Sequence, residues 1–238
     1  MRFGMTSSII ETVATSILNL ALANPRQASV RCTINSNTMD LIQGNLEEAK
    51  VDGSNWATPM GMTIRTIDLV LEGMKIKPQD VFRGKISFKC PAKGRALLSL
   101  DAADFGNFLV HPLLRVADLP SGQFRFLRQN TELDPGTGRT IFCGFWHDQP
   151  VVMEACQPER FGKIYVRVAE MGRLTPLGCK TLGREMTEFF NTVTLDLDGT
   201  QVSFSDMRTG YNHSGEERLR VTVDVTVHRL PNPDSLLF

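Results

Sequence analysis

Cys143 and His147, with Asp148 beside the histidine, are the residues of this 238-residue chain that come nearest to a nucleophile and its base. A thiolate attacking an acyl group needs an imidazole within hydrogen-bond reach, ~2.6–3.2 Å, to take its proton. The residues around this pair alternate as a strand does. On extended backbone, side chains four apart on one face lie ~13 Å from each other. The pair therefore reads as a strand residue followed by a surface turn. His228 falls on the polar face of another strand, His213 lies in the Gly210-to-Gly215 loop, and His111 precedes a proline. No His/Cys spacing among them fits zinc. Pro135-Gly136-Thr137-Gly138-Arg139-Thr140 lacks the lysine of a phosphate-cradling loop and reads as a turn between strands. There is no G-x-S-x-G elbow. Glu47-Glu48 and Glu216-Glu217 are most simply solvated. The expectation is a protein with no catalytic residues, no cofactor and no metal, and so not an enzyme. A lipid hydrolase built on Cys143 and His147 is the lesser alternative.

Composition points the same way. Lys plus Arg and Asp plus Glu are both 26, so no net field recruits nucleic acid, and no dense basic run stands out. The cysteines, Cys32, Cys90, Cys143, Cys156 and Cys179, form no C-x-x-C, and an odd number cannot all pair within one chain. They favour a reducing compartment. The sequon Asn212-His213-Ser214 is too common a pattern to argue from.

The element that must position any ligand is a strand. From Arg218 to Arg229, Leu219, Val221, Val223, Val225 and Val227 alternate with Arg220, Thr222, Asp224, Thr226 and His228. Alternation with period two gives one apolar and one wet face. At ~3.3 Å per residue the strand spans roughly 40 Å and needs a long apolar partner beneath it. That partner is either an elongated core or a groove holding something greasy.

Ser8-x-x-Glu11 is a capping box before an apolar stretch from Ile9 to Ala23, and it predicts a helix with Ile9, Val13, Ile17 and Leu20 along one side. The stretch is too short and polar to span a bilayer. A signal peptide ending at Ala21-x-Ala23 fits worse than a helix of the mature protein, because Glu11 and Asn19 spoil the apolar region. Further strands are predicted around Val30–Ile34, Leu46 to Val51 closing on Asp52-Gly53, Met62–Ile76 with a bulge or bend at Gly73, Gly84–Phe88, and Arg95–Leu100. Asp101 caps a short helix over 102–110, and a second helix is predicted over 177–191. Residues 124–168 read as strands. Asp198-Gly199 makes a tight hairpin between Val193-to-Leu197 and Val202-to-Phe204. The whole reads as one α+β domain, a long, curved, mainly antiparallel sheet wrapped against the N-terminal helix (residues 1–26), with two further helices. The domain runs over 27–231 and a tail over 232–238.

The order of these pieces resembles the LmeA-like phospholipid-binding family. The residues that carry the likeness are Leu41-Ile42-Gln43-Gly44, Val51-Asp52-Gly53, Pro59-Met60-Gly61-Met62-Thr63-Ile64, Ile67-Asp68-Leu69, Gly84-Lys85-Ile86, Pro91, the step from Leu100 to Phe105, and the hairpin and long strand from Val193 to Pro231. Residues 111–160 run longer and less regularly than that family's pattern, and the N-terminus lacks the targeting segment of its envelope members. The resemblance implies a tubular lipid-binding fold and a non-enzymatic protein that binds phospholipid or a similar amphiphile. It implies a place peripheral to a membrane in a plastid or cyanobacterial cell, with a periplasmic or secreted place as the alternative, and a role in envelope or thylakoid maintenance. The residues expected at lipid are Ile9, Val13, Ile17 and Leu20, facing Ile67, Leu69, Val221, Val223 and Val225 across a groove. The competing expectation is that these side chains fill one another's space in a closed core. Trp56 is either an interfacial anchor or a cap on the end of that core. The expected partners are the amphiphile and a membrane surface. A structural protein docking its sheet on a membrane complex is the runner-up.

Overall fold

The computed structural model describes residues 7–20, 22, 27–159, 162–170, 172 and 174–230. The expected tail 232–238, and Ala21 and Ala23 of the Ala21-x-Ala23 stretch, lie outside the described residues. The fold is α+β, but the strands form two antiparallel sheets where the sequence predicted one.

The first sheet contains β1 (Ser29–Asn35), β2 (Asn45–Ala57), β3 (Thr63–Lys75), β4 (Ala92–Leu100), β10 (Thr194–Leu197), β11 (Thr200–Tyr211) and β12 (Glu217–Val227). Their order is β1-β2-β3-β4-β12-β11-β10. β12 is the long alternating strand, and Leu219, Val221, Val223, Val225 and Val227 are all buried. Its neighbour β4 sets Ala96 between Leu69 and Val223, and Leu98 between Ile67 and Val221. The hairpin into β11 turns on Asp198 and Gly199, both in the left-handed region at φ 51° and 84°. That twist matches the strands on either side.

This sheet curls into a half-barrel, and β4 shows why. Its successive inward positions are Ala92, Gly94 and Ala96. A Cβ at Gly94 would sit 1.9 Å from the Val70 carbonyl oxygen, so only glycine lets β3 and β4 close this tightly. Gly73 (φ 57°) and Asn55 (φ 50°) bend β3 and β2 at their ends. Asp52-Gly53 does not close β2 as expected. The strand runs on to Ala57, and Gly53 leaves the space taken by Ile67 and Trp56.

The second sheet is a meander, β5-β6-β7-β8-β9, of β5 (Val116–Leu119), β6 (Gly122–Asp134), β7 (Arg139–Trp146), β8 (Gln149–Cys156) and β9 (Tyr165–Glu170). It stands apart because α4 (Ala102–Leu109) turns the chain away after β4, and β5 to β9 pair only with one another. Asp101 caps α4 in a reciprocal box with Asp104, as its sequence predicts. The meander buries Phe124, Phe126 and Phe142 against Phe105 and Leu109 of α4 and Leu182, Met186 and Phe190 of α5 (Pro176–Thr192). All of these rings are buried.

Five helices are described, where three were expected. Besides α1 (Ser7–Leu20), α4 and α5 there are α2 (Thr38–Gln43) and α3 (Pro78–Val81). These two are too short to leave a 3.6-residue period. α2 is set by its ends: Asn37 accepts from the Asp40 N–H at 2.9 Å, and Gly44 stops it at φ 81°. The strand expected over 84–88 reduces to a single bridge between Phe88 and Ile76.

Each sheet has one edge strand closed by a helix in the same way. β1 pairs with β2 on one side. On the other, the Ile34 N–H donates to Glu11 Oε1 (2.8 Å) and the Cys32 N–H to Thr15 Oγ1 (3.2 Å) of α1. In the meander, the Val166 N–H of β9 donates to Thr187 Oγ1 (2.9 Å), and the Ile164 N–H beside it to Asn191 Oδ1 (3.0 Å), both on α5. The periods match: four residues of helix rise ~6.0 Å, and two residues of strand ~6.6 Å. Polar residues at i and i+4 on a helix can therefore satisfy alternate amides of an edge strand lying alongside.

Candidate functional site

The two apolar layers differ in one respect. The meander's inner face is packed with its own phenylalanines, whereas the half-barrel keeps a hollow of about 180 Å³. Its walls come from β1, β2, β3, β4, β12, β11 and β10, with α1 along one side. Trp56, Met62, Phe105 and Phe108 stand at one end, and Ile76, Ile86 and Phe88 at the other. Several inward-facing residues, among them Ile67, Leu69, Leu98, Val202 and Phe204, are only half-buried. Apolar side chains on the concave face of a sheet stay accessible only where the protein's own atoms do not cover them.

The lining is almost wholly apolar. No described Asp, Glu, Lys, Arg or His lines the hollow, and its polar groups are Thr63, Thr200, Ser203 and the Cys32 thiol. Thr63 is engaged elsewhere: its hydroxyl donates to Asp104 Oδ1 (2.5 Å) and accepts from Asn107 Nδ2 (2.8 Å). Asp104, buried, is further paired with Arg65 at 3.1 Å. Burial first, then the carboxylates of Glu11 and Asp52, push the Cys32 thiol up to about 11. At neutral pH this thiol is uncharged, so the hollow carries no ionised group.

The structure brings together six of the expected lipid-contact residues: Ile67, Leu69, Val221, Val223, Val225 and Trp56 all line the hollow. Trp56 is buried, only 5 % exposed, on β2 rather than in an exposed turn, and so ends the apolar wall instead of standing at the surface. The helix is turned by one position from the expected side. Ile10, Ala14 and Leu18 are buried and line the hollow, Ile9, Val13 and Ile17 are half-buried, and Leu20 is exposed at 68 %. The signal lay in the residues that interrupt the apolar stretch. Glu11 and Thr15 face the β1 edge, which fixes the neighbouring Ile10 and Ala14 inward.

The residues with catalytic potential are not assembled. Cys143 lies within β7, buried, its thiol raised by burial and its Sγ donating to the Asn130 carbonyl at 3.7 Å. His147 and Asp148 form the next turn at φ 48° and 57°, with the imidazole on the Trp146 ring at 4.5 Å. No hydrogen bond joins Cys143 to His147. His213 and His228 are exposed, and His111 is buried, its pKa lowered by that burial. All five cysteines are free. Among the described residues no group of three His, Cys, Asp or Glu could hold a metal ion. No described helix is long and apolar enough to cross a membrane.

No family model, no curated protein and no solved structure matches the chain. The reading of the hollow accordingly rests on its chemistry.

Proposed function

We propose that this protein binds an amphiphile, phospholipid or similar, by taking hydrocarbon into the half-barrel, without acting on it chemically. The observation that carries the reading is the uncharged hollow with half-accessible aliphatic walls, beside a second layer of the same chain whose inward rings are buried. Hydrocarbon needs no acid, base or metal to be held. Burial contributes ~0.8 kcal/mol per methylene, so six methylenes supply roughly 5 kcal/mol before the ordering cost of association.

Size narrows the occupant. The hollow of about 180 Å³ exceeds the ~150 Å³ cavity known to admit benzene but falls below the ~300–1,000 Å³ of ordinary small-molecule sites. It suits a segment of one tail, with the headgroup and any second tail outside. The curled antiparallel sheet closed by a helix supports a tubular lipid-binding architecture. The motif order from Leu41 to Pro231 supports kinship with the LmeA-like family, and through it a role in maintaining plastid or cyanobacterial membranes.

Extraction of the purified protein followed by lipid mass spectrometry, with titration by a fluorescent fatty acid, tests the reading. Saturable 1:1 binding is expected, and Ile67→Trp, which fills the hollow from its half-exposed floor, should weaken it at least tenfold. A wild-type protein that carries no lipid and gives no saturable signal overturns it.

A further inference from the structure

The stretch from Lys75 to Lys93 carries six cations, Lys75, Lys77, Arg83, Lys85, Lys89 and Lys93, against one acid, Asp80. On a chain with formal net charge of zero this is a pronounced local excess. All six are exposed, and none forms an ion pair with a described residue; Lys89 Nζ donates to the Gln43 carbonyl at 3.1 Å. Cations left without acidic partners on a protein surface complement an anionic one.

Large apolar side chains lie exposed among them. Phe82 is 58 % exposed just after α3, and Met39 and Ile42 on α2 are 68 % and 56 % exposed. α2 and α3 are locked together: the Ile76 N–H donates to the Gly44 carbonyl at 2.7 Å, and Gly44 leaves no room for a Cβ beneath Ile76 and Pro78. The carboxylate of Asp40, the acid of α2, accepts from Asn37 Nδ2. Inward, the same stretch supplies Ile76, Ile86 and Phe88 to one end of the hollow. One segment thus presents hydrocarbon to the cavity on its inner side, and cations with an exposed aromatic on its outer side.

We infer that this rim docks on the surface of an anionic lipid bilayer. Lys75, Lys77, Arg83 and Lys85 meet the phosphates, and Phe82, Met39 and Ile42 enter the boundary between headgroups and acyl chains. Docking in this way sets an end of the hollow against the lipid. What then enters the hollow rests on the amphiphile-binding reading above, but the docking itself is measured separately.

The experiment is sedimentation of the full chain with vesicles of phosphatidylcholine alone and of phosphatidylcholine with one third phosphatidylglycerol. Binding to the anionic vesicles only is expected, and it should fall steeply as salt is raised. Each cation removed should lower partitioning about fivefold, so replacing Lys75, Lys77, Arg83 and Lys85 by Gln lowers it by nearly three orders of magnitude, roughly 600-fold. Phe82→Asp weakens it while leaving every cation in place. Both variants should keep the fatty-acid titration of the wild type, which shows that they fold and keeps a failed hollow distinct from a failed rim. No sedimentation with anionic vesicles, equal binding to neutral ones, or a four-residue variant that binds like the wild type overturns the inference.

Discussion

Cys32 faces the hollow from the edge strand β1, where burial first and then the carboxylates of Glu11 and Asp52 move its pKa from an ordinary 9.0 to about 11. A raised value means that the folded state holds the proton more tightly than the unfolded chain. The resulting stabilisation is complete below the unfolded pKa and is lost as pH rises from about 9 to about 11. Urea midpoints measured against pH should show the wild type losing stability across that window, whereas Cys32→Ala, compared at each pH, lacks this component. Parallel profiles would mean that the thiol is as solvated in the native state as in the unfolded one. The alternation of Val30, Cys32 and Ile34 with polar residues is enough to make Cys32 a small core residue. Its acidic neighbour Glu11 comes from a different element and was not legible beside it. Gly94 is similar: its need for space is set by the Val70 carbonyl on the neighbouring strand, which no local pattern records.

At the scale of the element, strands and long helices announced themselves because their periods are written in consecutive residues. β12, α4 with its capping box and α5 lie close to where alternation and helical spacing put them. What the pattern could not tell was which way α1 turns, because its side chains answer to the β1 edge as well as to the core. Glu11 and Thr15 each satisfy an edge amide, and an amide left buried without a partner costs about 1–3 kcal/mol. The double variant Glu11→Ala, Thr15→Val should therefore destabilise the protein by about 2–6 kcal/mol. Amide hydrogen exchange should locate the loss, with faster exchange at Cys32 and Ile34 and through α1 while β12 keeps its protection. By contrast, Arg95 and Asp224 pair across β4 and β12 with side chains 59 % and 52 % exposed, and such a surface pair contributes at most about 1 kcal/mol. Exchange unchanged at Cys32 and Ile34 in the double variant would show that water serves the edge as well as the helix does.

For the molecule as a whole, the central question is why one of two apolar layers stays hollow. The meander answers its own burial with large rings: Phe142 lies 5.7 Å from Phe190 and 5.8 Å from Phe126, ring centre to ring centre. The half-barrel has the opposite filling, with Ala49, Ala92, Gly94 and Ala96 on the concave side of strands that curl, and Ala14 on the helix beside them. Division into two sheets was hidden because pairing across β4 to β12 spans more than a hundred residues of sequence. The energetic signature should separate the layers. Phe142→Ala removes a ring that neighbours contact on every side and should cost about 3–5 kcal/mol. Leu98→Ala removes a side chain already bordering empty space, so no new void forms around it and the cost should stay below about 2 kcal/mol. Saturating wild type with fatty acid at ~100 times its Kd should then add about 2.7 kcal/mol, because only the folded half-barrel can hold the chain. Denaturant titrations in which Leu98→Ala costs as much as Phe142→Ala would mean that the half-barrel closes on itself in solution and leaves hydrocarbon nowhere to go.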